Sequence, residues 1–176
     1  MTMHWVKTYF SYFSAAFIIA LFIVPPMRQL SFRLNALDWG TGRRVHEGIV
    51  PRLGGIGIYL AFAIPMLVLL LRGSWTPGMQ MKMGAVLAAS TLVLLVGVYD
   101  DMKSASIRNT LFAEVCAGLI IFAAGARIDV LTNPFDPGAV IHLGWWSLPV
   151  TLLWIVVITN AINLTDGLDG LAAGTG

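Results

Sequence analysis

The stretch SLPVTLLWIVVITNAINLTDGLDG, from Ser147 to Gly170, changes character halfway. Ser147 to Thr159 carries no charge, and the next eleven residues bring Asn160, Asn163, Asp166, Asp169 and two glycines, Gly167 and Gly170. An apolar run closed by side-chain oxygens reads as a helix that leaves hydrocarbon and meets a polar boundary. That reading makes the chain a membrane protein, and the rest of the sequence can be tested against it.

Composition agrees. Hydrophobic residues make up 57% of the 176 and charged residues only 11%, against roughly 25% charged in a soluble domain. Mean hydropathy is +0.80. Apolar stretches fall at about 9–27, 53–71, 83–99, 111–126 and 145–162. Each approaches the ~20 residues that cross a bilayer core, the fourth being short and carrying Glu114. The expected architecture is an all-α polytopic membrane protein, one integral-membrane domain over 1–176 with about five transmembrane helices. The first stretch follows Lys7 but lacks a small-x-small cleavage site, so it reads as a retained span ended by Pro25-Pro26 rather than a signal peptide. The segment 127–144 has extended-type runs flanking NPFDPG, which predicts a short β-hairpin near 128–143, with His142 exposed or interfacial. A net charge of +2 without a basic block argues against nucleic acid as a partner. The single cysteine, Cys116, excludes an internal disulfide and reads as a packing residue.

Basic residues orient the spans. Arg28, Arg33, Arg43, Arg44, Arg52, Lys103 and Arg108 fall on one side, against Lys7, Arg72, Lys82 and Arg127 on the other. Seven against four puts the first group in the cytoplasm and the N-terminus outside. Trp5, Trp75, Trp145 and Trp146 then mark the outer interface, and mid-span Trp154 reads as packing.

Four of the nine acidic residues sit where two spans meet the cytoplasmic face: Asp100-Asp101 in GVYDDMKSASIR, and Asp166 with Asp169. Adjacent carboxylates near hydrocarbon repel one another, and at a helix C-terminus they oppose the dipole. A cation between them, or an outlook onto water, relieves both. Asn160, Asn163, Asp166 and Asp169 step by three, so neighbours share a helix face, and Gly167 and Gly170 loosen the end. Such an oxygen-rich turn suits a hard cation such as Mg²⁺, or a phosphate held through one; a plain polar helix end is the bland reading. Arg43, Arg44, His46 and Arg52 precede span two on the same face. Guanidinium groups suit phosphate, although positive-inside residues need no further role. Gly54, Gly55 and Gly57 suggest close helix packing. Glu114, one turn inside span four, calls for a basic partner. Arg108 is the nearest, and an ion pair and a catalytic role both stay open.

Three motifs in order, RRVHEGIVPRLGG, GVYDDMKSASIR and NAINLTDGLDGLAAG, resemble those of the polyprenyl-phosphate N-acetylhexosamine-1-phosphate transferase family. That family includes phospho-N-acetylmuramoyl-pentapeptide transferase, and the first motif resembles the UDP-N-acetylglucosamine-using branch more. The resemblance covers nearly the whole chain. It implies transfer of a sugar-1-phosphate, N-acetylglucosamine-1-phosphate in that branch, from a UDP-sugar to undecaprenyl phosphate, with release of UMP. This is the first membrane step of cell-envelope polysaccharide synthesis. The implied setting is the cytoplasmic (inner) membrane with the site facing the cytoplasm. Mg²⁺ assists, with Mn²⁺ able to replace it, and a homodimer is allowed.

By motif position, the resemblance makes Asp100 and Asp101 metal-binding and one of them a base for the lipid phosphate. Asn163 and Asp166 fall near nucleotide and metal, with Asp169 in the same motif; Arg44, His46, Arg52 and Arg108 fall among the substrate-binding positions. Arg108 stands where the family commonly has lysine, and a second family lysine is Thr110 here. The family also has later spans, a third acidic loop and a histidine-containing basic loop that these residues do not include. The expectation is therefore an N-terminal half, inactive alone. The alternative is a non-catalytic binding or assembly module on the same fold. A transporter ranks last, because the polar residues gather at one face rather than at mid-membrane.

Overall fold

The computed structural model describes residues 2–34, 37–38, 50–51, 54–103, 107–133, 136 and 139–165, and the side chains of 10–34, 54–100, 107–133, 136 and 139–162. Each of the five apolar stretches is helical: α1 (Thr2–Arg33), α2 (Gly54–Arg72), α3 (Pro77–Lys103), α4 (Ile107–Ala123) and α5 (Ser147–Thr165). Four of them, all but α4, are long and apolar enough to cross a membrane. With 17 residues, α4 is the short one.

Helix α1 does not stop at Pro25-Pro26 but continues to Arg33. Two prolines remove two amide donors, yet in an apolar setting the surrounding backbone still gains more by staying helical than by fraying. Packing holds the helix at this level. A Cβ on Gly57 of α2 would lie 3.3 Å from Val24 Cγ2 and 3.6 Å from Val24 Cα, so glycine lets the two backbones meet beside the proline pair. Gly54 and Gly55, expected to share that role, face open space. One turn beyond the prolines, fully buried Ser31 donates to the Met27 carbonyl at 3.0 Å.

A four-residue turn, 73–76, joins α2 to α3. The Trp75 indole folds back over it and donates to the Leu69 carbonyl at 2.8 Å, which the Gly73 amide also reaches at 2.9 Å. A Cβ on Gly73 would stand 2.0 Å from that indole nitrogen, so the fold-back needs glycine. Between the two helices the Tyr59 and Thr91 hydroxyls meet at 2.5 Å. Thr91 already gives its hydrogen to the Leu87 carbonyl at 2.6 Å, so Tyr59 is the donor in that pair.

Helices α4 and α5 run antiparallel, as their contacts show. Glu114 meets Asn160, a Cβ on Gly118 would meet Leu152 and Ile155, and the Ile128 amide donates to Thr151 Oγ1. Rising numbers on one side meet falling numbers on the other. Helix α4 ends in a Schellman turn: the Ala126 amide reaches the Ile121 carbonyl at 3.2 Å and the Gly125 amide reaches that of Phe122 at 2.9 Å, with Gly125 at φ 79°. The expected hairpin follows as β3 (Val130–Thr132) paired with β4 (Val140–His142) in register Val130↔His142, with His142 exposed. A second, two-residue antiparallel pair, β1 (Leu37–Asp38) with β2 (Val50–Pro51), had no sequence signal. Trp145 is almost fully exposed, as a lipid-interface anchor would be, but Trp154 is also 60% exposed and so faces outward rather than packing.

Candidate functional site

Short connections and antiparallel packing decide which residues share an end of the bundle. Helix α3 ends at Lys103 and α4 starts at Ile107, while α5 returns alongside α4 to finish at Thr165. The last turn of α3, the first turn of α4 and the last turn of α5 therefore lie together. Asp100 and Asp101 stand in the first of these, Arg108 in the second and Asn163 in the third. Asp100 is half-buried and Arg108 exposed. Thus the backbones of the acidic pair, Arg108 and Asn163 come to one end of the bundle. Asp166, Asp169, Arg44, His46 and Arg52 lie outside the described residues, and of Asp101 and Asn163 only the backbone is described.

Helix α3 stays helical through the acidic pair, which puts both residues on a turn whose free carbonyls already carry partial negative charge. A bound cation or a nearby guanidinium offsets such a placement. Among the described residues no three His, Cys, Asp or Glu side chains converge to hold a metal ion.

Between α3 and α4 runs an apolar cleft of about 390 Å³, lined by Leu92, Leu95, Val96 and Phe112, with Tyr99 and Asn109 at its polar end. Tyr99 precedes Asp100 and Asn109 follows Arg108, so the cleft leads from the apolar middle of the helices toward the acidic pair. Cys116 lies on its wall, half-buried, in keeping with a packing role.

Glu114 has a different partner from the one its sequence suggested. Its side chain is 2% exposed, and its Oε2 accepts a 2.6 Å hydrogen bond from Asn160 Nδ2. Arg108 cannot serve. Six residues along a helix amount to about 9 Å of rise and roughly 120° of rotation, so the two side chains leave α4 in different directions. Asn160 belonged to the run of oxygen-bearing residues but not to the expected site. Depth was the available signal: Glu114 is seven residues from the start of α4 and Asn160 five from the end of α5, so antiparallel neighbours bring them level.

The opposite end of the bundle is tied by Asp129. Ser147 Oγ donates to its Oδ1 at 3.0 Å and Arg127 Nε to its Oδ2 at 3.1 Å. The Ser147 hydrogen bond, then the Arg127 guanidinium, hold this carboxyl below the ordinary aspartate value of 3.8 despite a smaller opposing effect of desolvation.

Comparison with known proteins bears on the acidic end. The family model for glycosyl transferase family 4 matches residues 83–176, from within α3 to beyond the end of α5. The chain is 33% identical over 162 residues to a probable undecaprenyl-phosphate N-acetylglucosaminyl 1-phosphate transferase of Bacillus subtilis, covering 92% of this chain and 43% of that protein. It is 33% identical to a decaprenyl-phosphate N-acetylglucosaminephosphotransferase of Mycobacterium tuberculosis, with 92% and 41% covered. A phospho-N-acetylmuramoyl-pentapeptide-transferase of Shouchella clausii matches at 32%, with 93% and 53% covered. The chain thus spans about half or less of the length of these relatives. Four membrane-length helices and these membrane-enzyme relatives make it a multi-pass membrane protein. With the acidic pair, the amide-bearing end of α5 and the matched region all falling on the same helices, the chain belongs to glycosyl transferase family 4.

Proposed function

We propose that this chain serves the transfer of a sugar-1-phosphate from a UDP-sugar to a polyprenyl phosphate, with UMP as leaving group, and that the group transferred is N-acetylglucosamine-1-phosphate. The observation that carries the proposal is the convergence of the Asp100-Asp101 turn, Arg108 and the Asn163 turn at one end of a membrane bundle. The names of the relatives point the same way, since each joins a polyprenyl phosphate or an N-acetylated sugar to phosphotransfer.

Each group has a part. Arg108 offers an exposed guanidinium to phosphate oxygens. The amide of Asn163 supplies both a donor and an acceptor to the nucleotide-sugar. One carboxylate of the acidic pair takes the proton of the lipid phosphate. The apolar cleft between α3 and α4 suits an isoprenoid chain whose phosphate reaches the acidic pair. Oxygen-only donors at Asp100, Asp101 and Asp166 fit Mg²⁺, with Mn²⁺ as a substitute, and half-buried Asp100 on an already negative helix end is a site a cation would improve. Such an ion, when bound, neutralises charge on the pyrophosphate oxygens. Asp169, Arg44, His46 and Arg52 complete the proposed substrate contacts. The site faces the cytoplasm from the cytoplasmic membrane, and the protein works alone or as a homodimer.

The test uses membranes from cells expressing the whole open reading frame, supplied with labelled UDP-N-acetylglucosamine and undecaprenyl phosphate. Label should enter lipid with Mg²⁺ and not with EDTA. Asp100→Asn should lower the rate by about a hundredfold or more, the scale set by removing one group that stabilises developing charge. Absence of labelled lipid, or an undiminished Asp100→Asn rate, rejects the reading. Labelling only from the muramoyl-pentapeptide donor moves the assignment to that branch.

A further inference from the structure

Arg108 and Asn109 at the start of α4 are exposed, but Glu114 is buried between α4 and α5. Two features let it approach α5. Gly118, one turn further along α4, has no side chain to hold the helices apart: a Cβ there would lie 2.7 Å from Leu152 Cδ2. Asn160 meanwhile turns its amide nitrogen toward two acceptors at once, Glu114 Oε2 at 2.6 Å and the Val156 carbonyl at 2.9 Å. A carbonyl accepts only, so the NH₂ must face inward whichever way the amide is drawn. Both its hydrogens are then committed, the side-chain rotation of Asn160 is locked, and Oδ1 is left as the outward acceptor.

We infer that Glu114 is a positioning residue: by clamping the Asn160 amide it sets the rotation of the last turn of α5, and so places Asn163 against the start of α4. The inference rests on the proposed function for its kinetic consequence but not for its structural one. Asn163 lies three residues, about 4.5 Å of rise, beyond the clamp, and Arg108 about 9 Å beyond it along α4 in the same direction. A helix end that runs free for only one turn past a fixed point keeps its azimuth. The clamp ties α5 to α4 through the side chain of Asn160, one turn before Asn163. Glu114 itself stays out of the chemistry, since burial keeps it from substrate.

The test compares Glu114→Gln, which keeps an acceptor oxygen in the same place, with Glu114→Leu, which has none. Thr151→Val is the control; it breaks a buried tie between Ile128 and α5 at the far end and should lower stability without touching the site. In the whole protein, Glu114→Gln should keep kcat within about threefold of wild type. Glu114→Leu should lose on the order of ten- to a hundredfold in kcat, the scale of a small misplacement of reacting groups, with a smaller change in KM for the UDP-sugar. Thr151→Val should lower the melting temperature while leaving kcat near wild type. Spin labels at exposed Leu111 and Ile162 give a readout that needs no turnover. Their distance distribution should stay narrow in wild type and Glu114→Gln and broaden in Glu114→Leu. The inference is overturned if Gln and Leu variants behave alike, or if the distance stays narrow in Glu114→Leu. A wild type that transfers nothing sinks the proposed function instead, and the distance measurement still decides the clamp.

Discussion

Asp129 holds the junction of α4, the hairpin and α5 with a single side chain. Its carboxylate accepts from Ser147 and Arg127, and its backbone carbonyl accepts from the Leu143 amide at 2.9 Å. Because its folded pKa is lowered, the carboxylate contributes stability above its unfolded value and loses it as pH falls through the folded one. The junction should be insensitive between about pH 5 and 8 and loosen only below the ordinary aspartate value of 3.8. Emission from nearby Trp145 and Trp146 in proteoliposomes would report this, and Asp129→Asn should flatten the acid transition. A transition at neutral pH, or one that survives the asparagine variant, assigns it elsewhere. At this scale the sequence was least informative. It marked Glu114 as a residue in need of a partner, yet hydropathy carries no information on rotational phase between helices, so the neighbour chosen along the chain was Arg108 and the true partner across it was Asn160. Asp100, Arg108 and Asn163 were legible because a charge or amide at the edge of an apolar run announces its own depth.

Helix α4 shows how element packing depends on small side chains. It packs against both α3 and α5, turning Ala113 and Cys116 to the cleft on the α3 side and meeting α5 through Glu114 and Gly118. Gly118→Ala asks only that a Leu152 methyl swing aside. Gly118→Ile adds a branched side chain against the same wall and should cost about 1–3 kcal/mol by overpacking. It should also pull Glu114 from Asn160. Thermal unfolding in detergent, with the spin-label distance described above, checks both effects; an unchanged melting temperature would mean that α4 and α5 are packed more loosely than the contacts indicate. The elements were largely readable in advance, because length and apolarity delimit a helix in lipid and because the NPFDPG turn delimits a hairpin. The end of α1 was not. Proline is a helix breaker in water, where freed carbonyls find solvent, and a much weaker one where leaving the helix would expose more backbone to hydrocarbon. The β1–β2 pair was equally invisible, being two residues long with no periodicity to detect.

Across the whole molecule, the proposed site and the hairpin lie at opposite ends. Asp100, Arg108 and Asn163 stand at one end, while Asp129, the hairpin and the exposed Trp145 stand at the other. With Cys116→Ser as background, His142→Cys should react with a membrane-impermeant maleimide in intact cells, and Arg108→Cys only after permeabilisation. The reverse pattern would invert the proposed orientation, and labelling of both from outside would contradict a membrane between them. The expected orientation rests on sums over many residues, seven basic residues against four and four carboxylates at two span ends, and this labelling is what tests it.

The shortness of α4 reaches beyond the protein itself. Seventeen residues make a helix of about 25 Å, while the hydrocarbon core is about 30 Å thick. A mismatch of about 5 Å is met by local thinning of the bilayer, by flanking side chains that reach outward, or by packing the short helix among longer ones. Helix α4 has the last of these, held between α3 and α5. Bilayer thickness then acts on α4 through its neighbours, and a thicker membrane should disturb the α3–α4–α5 packing before it disturbs any longer helix.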